Sequence, residues 1–132
     1  MPAYTVAAKT LKEGCTGADE RMLMEEAAIM AQLQHNNVVG IVGVCTRQYP
    51  MLLVMQYCEH GSLLAFLRKR TGFDTLGLPQ RLKVAMNCAE GIAHLASLGM
   101  IHRDLAARNI LMDSAYTAKV ADFGLSRRMD TD

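Results

Sequence analysis

Two stretches of sequence decide the fold of this chain: His102-Arg103-Asp104-Leu105-Ala106-Ala107-Arg108-Asn109 and, thirteen residues later, Asp122-Phe123-Gly124. Both are rich in charged and amide side chains and lack a helical apolar period, so we expect them to form loops. Asp104, Asn109 and Asp122 offer carboxylate and amide oxygens, which suit a hard cation such as Mg²⁺. Because Mg²⁺ takes few protein ligands, it leaves positions for phosphate oxygens. The ordered spacing is far beyond what chance polar loops would contain.

A second unusual feature is Glu26, a carboxylate in the middle of an apolar stripe. Residues 18–34 have a helical period. The helical neighbours of Glu26 at minus four, minus three, plus three, plus four and plus seven are apolar, namely Met22, Leu23, Ile29, Met30 and Leu33. A carboxylate there loses much of its hydration unless a cation meets it. Alternatively, Glu26 lies at the edge of the stripe and reaches solvent, and the sequence alone leaves both interpretations open.

Lys9 ends a short alternating strand, 4–9, on the face that also carries the small residue Ala7. By itself, a lysine at this position could simply mark the end of a strand. Lys9 and Glu26 together would satisfy each other's charge. The pair would then present a fixed ammonium group beside a surface of small residues that is flat enough for an aromatic ring.

The rest of the chain is predicted to alternate strands, helices and loops. Ser62 is expected to cap a short helix, and Pro79 to lie in the first turn of a longer one that ends near Gly99. The longer helix carries an apolar stripe from Leu82 to Ala96. Further strands are predicted at 38–45, 51–57, 110–112 and 118–121, and loops at 12–17 and 71–78.

The composition excludes several classes of protein. The chain has 132 residues, of which 51% are hydrophobic and 20% charged, which is typical of one globular domain. Its net charge of +1 gives no overall field that would attract nucleic acid. No apolar run approaches the length of a membrane span. The cysteines have no paired spacing, which argues against a zinc site or a disulfide framework and favours reduced thiols; they are Cys15, Cys45, Cys58 and Cys88.

With these motifs in place, the sequence resembles the protein kinases. The two stretches quoted first are similar to the catalytic loop and the metal-binding triplet of that family. Val6-Ala7-Ala8-Lys9 is similar to the V-A-x-K of the family's third strand, and Glu26 to the lysine's partner on the family's C helix. Residues 35–39 resemble the run that leads into the fourth strand, and residues 51–58 the fifth strand and the hinge. These motifs follow one another in the same order as in the family, and this ordered set is much more specific than any one motif.

The resemblance implies an α+β fold of two lobes, only part of which this chain would contain. Residues 1–57 would form a partial N-terminal lobe with an incomplete antiparallel sheet and the C helix. Residues 58–60 would be the hinge. Residues 61–132 would form a truncated, mainly helical C-terminal lobe that reaches the start of the activation segment. The resemblance covers the whole chain but only about the middle half of a catalytic domain.

The residues after Asp104 indicate which branch of the kinases the chain resembles. Serine/threonine kinases usually place a lysine two residues after this aspartate, where this chain has Ala106. Tyrosine kinases place an arginine either there or four residues after it, and Arg108 fits the second arrangement. The form H-R-D-L-A-A-R-N is typical of receptor tyrosine kinases. The implied activity is therefore transfer of phosphate from ATP to protein tyrosine residues.

The resemblance also assigns catalytic roles. Lys9, held by Glu26, would bind the α- and β-phosphates of ATP. Asp104 would accept the proton of the tyrosyl hydroxyl, and Arg108 would supply a cation near the γ-phosphate. The side chains that would hold Mg²⁺ are Asn109 and Asp122.

Other positions match the adenine pocket and the regulatory residues of the family. Ala7 and Leu111 would enclose adenine, with the backbone of Gln56 and Cys58 at its edge and Met55 as the gatekeeper. Arg103 would pair with a phosphorylated activation-loop residue. A stack of side chains that links the lobes would consist of Met30, Ile41, His102 and Phe123.

The chain also departs from the family pattern. It has no G-x-G-x-x-G loop and stops where activation-loop tyrosines are usual. We therefore expect a fragment that is poorly stable and inactive alone, with an open strand edge at Lys9 and an exposed apolar stripe from Leu82 to Ala96. Two alternatives stay open: a catalytically inactive kinase-like scaffold, and a naturally truncated inhibitory isoform.

The resemblance finally implies partners and a location. The partners would be protein substrates with tyrosine acceptors and no nucleic acid. Membrane contact would occur only through regions outside this chain, and the parent protein could dimerise. The location would be the cytoplasmic side of the plasma membrane for a receptor, and the cytoplasm otherwise.

Overall fold

The computed structural model describes residues 3–11, 14, 16–69 and 76–124, together with the backbone of 127–128. Parts of the loops expected at 12–17 and 71–78, including Cys15, lie outside these residues. The helices are α1 (Gly17–Gln32), α2 (Leu63–Arg68) and α3 (Leu78–Ser97). The strands are β1 (Val6–Thr10), β2 (Ile41–Cys45), β3 (Leu52–Gln56), β4 (Gly61–Ser62), β5 (Met100–Ile101), β6 (Ile110–Met112), β7 (Ala118–Val120) and β8 (Arg127–Arg128). This mixture of helices and antiparallel sheets confirms the α+β class.

Three antiparallel strands form the sheet of the N-terminal half, in the order β1-β3-β2. Ala7 lies opposite Met55, and Lys9 lies opposite Leu53. The strand that carries Lys9 is therefore an edge strand, as predicted. α1 packs beside β2. Its buried residues lie on one face and are Leu23, Glu26, Ala27 and Met30.

Met22 corrects one detail of the predicted helix. The apolar pattern placed Met22 on the buried stripe, but its side chain is 53% exposed. It lies at the flank of the face that packs on the sheet, whereas Leu23 lies within that face. The helix also ends at Gln32 and not at Gln34, and the N–H of Leu33 closes the last turn on the carbonyl oxygen of Met30.

A second sheet, in the order β4-β6-β7, lies in the C-terminal half. α2 packs beside β4 and β6. The hydroxyl of Ser62 accepts a hydrogen bond from the N–H of Ala65 at 3.1 Å, so the predicted helix cap is confirmed. The short strands predicted at 110–112 and 118–121 are β6 and β7, which pair with each other.

α3 packs against β7 through a face that the sequence pattern did not reveal. Gly91 and Leu95 are buried on this face. Leu82 is 56% exposed and Met86 is 61% exposed, which confirms the expected exposure of these two residues of the apolar stripe. The helix packs so closely that a Cβ on Gly91 would lie 2.5 Å from the carbonyl oxygen of Asn37.

Backbone hydrogen bonds join the two halves at the segment before β2. Val38 forms an isolated parallel bridge with Val120. The N–H of Val39 donates to the carbonyl oxygen of Val120 at 2.9 Å, and the N–H of Val120 donates to that of Asn37 at 2.8 Å. The strand predicted at 38–45 therefore starts at Ile41, because Val38 and Val39 pair with β7 and not with the first sheet.

One hydrophobic core runs through both halves. Its most deeply buried large side chains are Leu33, Val38, Leu53, Leu95, Met112, Val120 and Phe123. Across the ranges that the structure describes, every helix is too short or too polar to cross a membrane.

Candidate active site

A cleft of about 370 Å³ lies between the first sheet and the loops that follow α3. Ten residues selected from the sequence line it: Ala7, Lys9, Glu26, Met30, Met55, Gln56, Arg108, Asn109, Leu111 and Asp122. The cleft thus brings together side chains that are more than 100 residues apart in sequence, such as Lys9 and Asp122. Cys58 and Asp104 do not line it, although Asp104 contacts two residues that do.

The predicted pair of Lys9 and Glu26 is formed. The Lys9 ammonium group donates a hydrogen bond to Glu26 Oε2 at 2.8 Å. The Glu26 side chain is 5% exposed, and that of Lys9 is 43% exposed. Since a buried carboxylate is strongly unfavourable without a cation, Lys9 explains how Glu26 occupies the apolar face of α1. The open side of Lys9 leaves its ammonium group accessible to a ligand in the cleft.

Asp104 is held by two neighbours that line the cleft. The Arg108 guanidinium group forms an ion pair with Asp104 Oδ1. The Asn109 side-chain nitrogen donates to Asp104 Oδ2 at 3.0 Å and to the Asp104 carbonyl oxygen at 2.8 Å. A short 3₁₀ turn, Ala107–Asn109, places both neighbours on the aspartate. The orientation of the Asp104 carboxylate is therefore fixed by two donors.

The same hydrogen bonds orient Asn109 for a cation. Its amide nitrogen donates to Asp104, so its amide oxygen remains as an acceptor, and Asn109 lines the cleft. Asp122 adds an exposed carboxylate that lines the same cleft. One amide oxygen and one carboxylate are a donor set that fits Mg²⁺, which keeps its other positions for water and phosphate.

Asp122 has an unusual backbone conformation with φ of 60°. Non-glycine residues are uncommon in this left-handed region, although aspartate tolerates it better than most. The preceding residue, Ala121, is held on both sides. Its N–H donates to the Asn109 carbonyl oxygen at 2.8 Å, and its carbonyl oxygen is 2.7 Å from His102 Nε2. These contacts fix the backbone from which the Asp122 carboxylate projects.

The four residues predicted to form a stack are all in or against the core. His102 and Phe123 are in direct edge contact, with ring centroids 5.4 Å apart. Met30 belongs to the buried core, and Ile41 packs against it half-buried. His102 Nδ1 accepts the N–H of Asp104 at 3.1 Å, so its Nε2–H donates to Ala121. Arg103 is exposed, and the described part of the chain gives it no ion pair.

The segment after β3 offers mainly backbone groups to the cleft. The Gln56 N–H donates to the Gly40 carbonyl oxygen at 2.8 Å. Of the backbone groups of Gln56, the carbonyl oxygen is therefore the one that is left to accept a hydrogen bond from a ligand. The Cys58 side chain is buried. This burial raises the pKa of the thiol from its ordinary 9.0 to about 11, an effect opposed by Lys119 and reinforced by Asp113 and Glu59. Cys58 is therefore protonated at neutral pH.

Two features near the site were not predicted. Ala8, Val39 and Ala121 also line the cleft. The close contact of Gly91 with the Asn37 carbonyl oxygen holds α3 against the segment that leads from α1 to β2. An isolated glycine inside a helical pattern often marks such a close approach, so Gly91 was a signal that the sequence offered.

Several known proteins are similar to this chain in sequence. The chain is 45% identical over 130 residues to ephrin type-B receptor 5 of Gallus gallus and 48% identical over 127 residues to ephrin type-A receptor 7 of the same species. These alignments cover 98% and 96% of the chain, and 13% of each receptor. It is 46% identical over 128 residues to tyrosine-protein kinase Abl of Drosophila melanogaster, covering 97% of the chain and 8% of that protein.

The chain thus spans about an eighth of the length of the two receptors. The family model for protein tyrosine and serine/threonine kinases matches residues 1–132. Ten of the residues that this family resemblance singled out line the cleft. This chain belongs to the protein tyrosine and serine/threonine kinase family.

Proposed function

We propose that this chain is the central part of the catalytic domain of a longer protein, an ATP-dependent protein tyrosine kinase of receptor type. The observation that carries the proposal is the cleft, in which the Lys9–Glu26 ion pair and the oxygen donors Asn109 and Asp122 share one cavity. An ammonium group and two cation ligands in a single cleft suit a nucleotide triphosphate. The proposed lobes are residues 1–57 and 61–132, joined by 58–60.

The phosphates of ATP would lie towards Lys9. Its ammonium group is held by Glu26 at 2.8 Å and still 43% exposed, so it can donate to the α- and β-phosphates without a large rearrangement. Asn109 and Asp122 would hold Mg²⁺, which when bound neutralises charge on the phosphate oxygens. The small side chain of Ala7 and the aliphatic side chain of Leu111 line the same cleft and suit the two faces of a purine ring.

Asp104 would orient the acceptor tyrosine and take up its proton. A tyrosyl hydroxyl has a pKa of about 10 and is not ionised at neutral pH, so a positioned carboxylate assists the transfer. Asn109 holds one carboxylate oxygen of Asp104, and Arg108 pairs with the other. Arg108 also lines the cleft, which supports a role near the transferred phosphate.

The tyrosine specificity and the receptor type rest on the position of Arg108 and on the relatives. Arg108 is four residues after Asp104, the arrangement that the sequence shares with receptor tyrosine kinases. The relatives include two ephrin receptors and a tyrosine-protein kinase. The chain would then act on protein substrates at the cytoplasmic side of the plasma membrane, with membrane contact and dimerisation provided by other regions.

A peptide array tests the proposal. The longer protein that contains residues 1–132 is incubated with Mg²⁺ and ATP on arrays of tyrosine, serine and threonine peptides, next to the Asp104→Asn variant. Tyrosine labelling is expected, with a rate about 10²- to 10⁴-fold lower in the variant. Predominant serine or threonine labelling would overturn the tyrosine assignment. If the longer protein and its Asp104→Asn variant both gave only background labelling, the result would instead favour the catalytically inactive kinase-like scaffold.

A further inference from the structure

Two turns lie side by side at one end of the second sheet. Residues 58–61, which we call the linker turn, lead from β3 into β4, and the N–H of Gly61 donates to the Cys58 carbonyl oxygen at 3.1 Å. Residues 113–117 form the β6–β7 turn. Because Gly61 is paired with Met112 in an antiparallel ladder, the start of β4 lies opposite the end of β6. The two turns are therefore neighbours.

Three aromatic rings join these turns, and we call them the aromatic cluster. His60 of the linker turn stacks on Tyr116 of the β6–β7 turn, with ring centroids 4.2 Å apart and planes that differ by 12°. Phe66 of α2 meets both rings edge-on, with its centroid 6.2 Å from that of His60 and 5.8 Å from that of Tyr116. Phe66 is buried, and the other two residues are half-buried. Such stacked and edge-on contacts stabilise the arrangement of the two turns.

The backbone of Tyr116 does not explain why a tyrosine stands in this turn. Its φ is 59°, in the left-handed region that bulky residues seldom adopt and that glycine and asparagine adopt more readily. The turn is closed by Asp113, whose Oδ1 accepts the N–H groups of Ala115 and Thr117, each at 2.9 Å. What tyrosine adds at this position is the ring that lies against His60.

The linker turn and β6 carry groups that are expected to meet the adenine of ATP. Leu111 on β6 lines the cleft, and its strand partner is Ser62. The N–H of His60 donates to the carbonyl oxygen of Met112 at 3.0 Å. Cys58, whose backbone is expected at the edge of adenine, is the first residue of the linker turn. A shift of this turn along the second sheet would therefore move Cys58 relative to Leu111.

We propose that the aromatic cluster positions the binding site for the nucleotide base. By holding the linker turn against the β6–β7 turn, it fixes the Cys58 backbone at the edge of the base relative to Leu111 on its face. Among the described residues, those that line the cleft do not include the cluster, so its rings act through the backbone and do not touch the ligand. The inference rests on the proposed function, because the base is that of ATP.

The groups that would meet the phosphates are held by other contacts. Lys9 lies on β1 and is paired with Glu26. The backbone before Asp122 is fixed by the hydrogen bonds of Ala121 to the side chain of His102 and to the carbonyl oxygen of Asn109. Loss of the aromatic cluster should therefore weaken binding of the base and leave binding of the phosphates unchanged.

Two probes separate these effects on the complete catalytic domain, with binding measured by isothermal titration calorimetry. Adenosine has the base and no phosphate, whereas inorganic triphosphate with Mg²⁺ has no base. Tyr116→Asn removes the ring but tolerates the left-handed backbone. It should weaken adenosine binding about three- to tenfold, the effect of losing one or two aromatic contacts, and leave triphosphate binding unchanged. The KM for ATP should rise by the same factor, with kcat at saturating ATP unchanged.

Three further variants distinguish positioning from stability. Tyr116→Phe keeps the ring and should bind both probes like the unmodified domain. His60→Ala removes the opposite ring and should reproduce the loss of adenosine binding, so the test does not depend on the folding of a single variant. Val84→Ala trims a buried side chain of α3 outside the cleft, and it should lower the midpoint of thermal unfolding without weakening adenosine binding.

The outcomes separate this inference from the proposed function. If the unmodified domain binds ATP, but Tyr116→Asn and His60→Ala keep its affinity for adenosine and its KM for ATP, the aromatic cluster has no positioning role and the proposed function stands. Equal losses of adenosine and triphosphate binding would also overturn the inference, because they indicate general disruption of the cleft. If the unmodified domain binds no ATP, the proposed function fails and this inference fails with it.

Discussion

The Glu26 carboxylate, only 5% exposed, accepts a hydrogen bond from the Lys9 ammonium group at 2.8 Å and so ties helix α1 to the edge strand β1. The pair is asymmetric, because the Lys9 side chain is 43% exposed and faces the cleft. Glu26 therefore acts as an anchor, and Lys9 as the group that is presented to a ligand. This asymmetry gives different expectations for the two residues.

Replacing Lys9 with Met should abolish most phosphate transfer and also lower the stability of the fold, because the buried Glu26 carboxylate loses its cation. The methionine keeps an apolar chain of similar length on β1 but removes the cation that would meet the phosphates. We expect kcat to fall about 10²- to 10³-fold, measured as peptide phosphorylation by the complete catalytic domain. Lys83→Met on α3, remote from the cleft, is the control. Unchanged activity of Lys9→Met would mean that this lysine only ends a strand.

Replacing Glu26 with Gln should have a smaller effect. The amide oxygen of the glutamine can still accept the hydrogen bond from Lys9, but the negative charge that orients the ammonium group is lost. We expect kcat/KM for ATP to fall about tenfold, with little change in the midpoint of thermal unfolding. The exposed neighbour provides the comparison, and Glu25→Gln should match the unmodified protein. An equal loss in both variants would contradict the anchoring role.

Gly91→Ala should destabilise the protein, although alanine favours helix by about 1 kcal/mol. The added Cβ would lie 2.5 Å from the Asn37 carbonyl oxygen and 2.9 Å from Val120 Cγ2. Overpacking of this kind costs about 1–3 kcal/mol, measured as the free energy of unfolding in urea. At Gly17, at the start of α1, a Cβ would meet nothing within 4 Å, so Gly17→Ala should be neutral or slightly stabilising. If Gly17→Ala lowered the free energy of unfolding more than Gly91→Ala did, the close packing of α3 at Gly91 would be refuted.

The buried thiol of Cys58 should react slowly with iodoacetamide. Burial raises the pKa of Cys58 from 9.0 to about 11, so at neutral pH its thiolate fraction is about a hundredfold smaller than at the ordinary value. Its alkylation should accelerate as the pH rises towards 11, whereas Cys45, which is exposed, should react first. Peptide mapping by mass spectrometry separates the two sites. Faster labelling of Cys58 in the native domain would contradict its burial.

The sequence predicted which residues line the cleft better than it predicted how the two halves on either side of the cleft are connected. Lys9 and Glu26 could be paired because a charge on an apolar stripe needs a partner. For Val38, in contrast, the side-chain pattern predicts a strand, but its backbone pairs with Val120, 82 positions later. Side-chain patterns report burial and period, whereas a bridge between distant segments depends on tertiary packing.

The face of α3 illustrates the same limit. The stripe that includes Leu82 and Met86 has the helical period of a buried face, yet both residues are exposed in this chain. The buried face is narrower and contains a glycine, so it contributes little to an apolar pattern. A period indicates that a face is apolar, but it does not indicate which apolar face packs within a given chain.

The bridge between Val38 and Val120 also limits how the two halves can move relative to each other. Since backbone hydrogen bonds hold Asn37 and Val39 to β7, sliding of one half past the other is resisted at this point. Rotation about the bridge stretches these hydrogen bonds less than sliding does. The cleft should therefore widen by a hinge-like rotation, in which the edge strand that carries Ala7 and Lys9 moves through the largest distance.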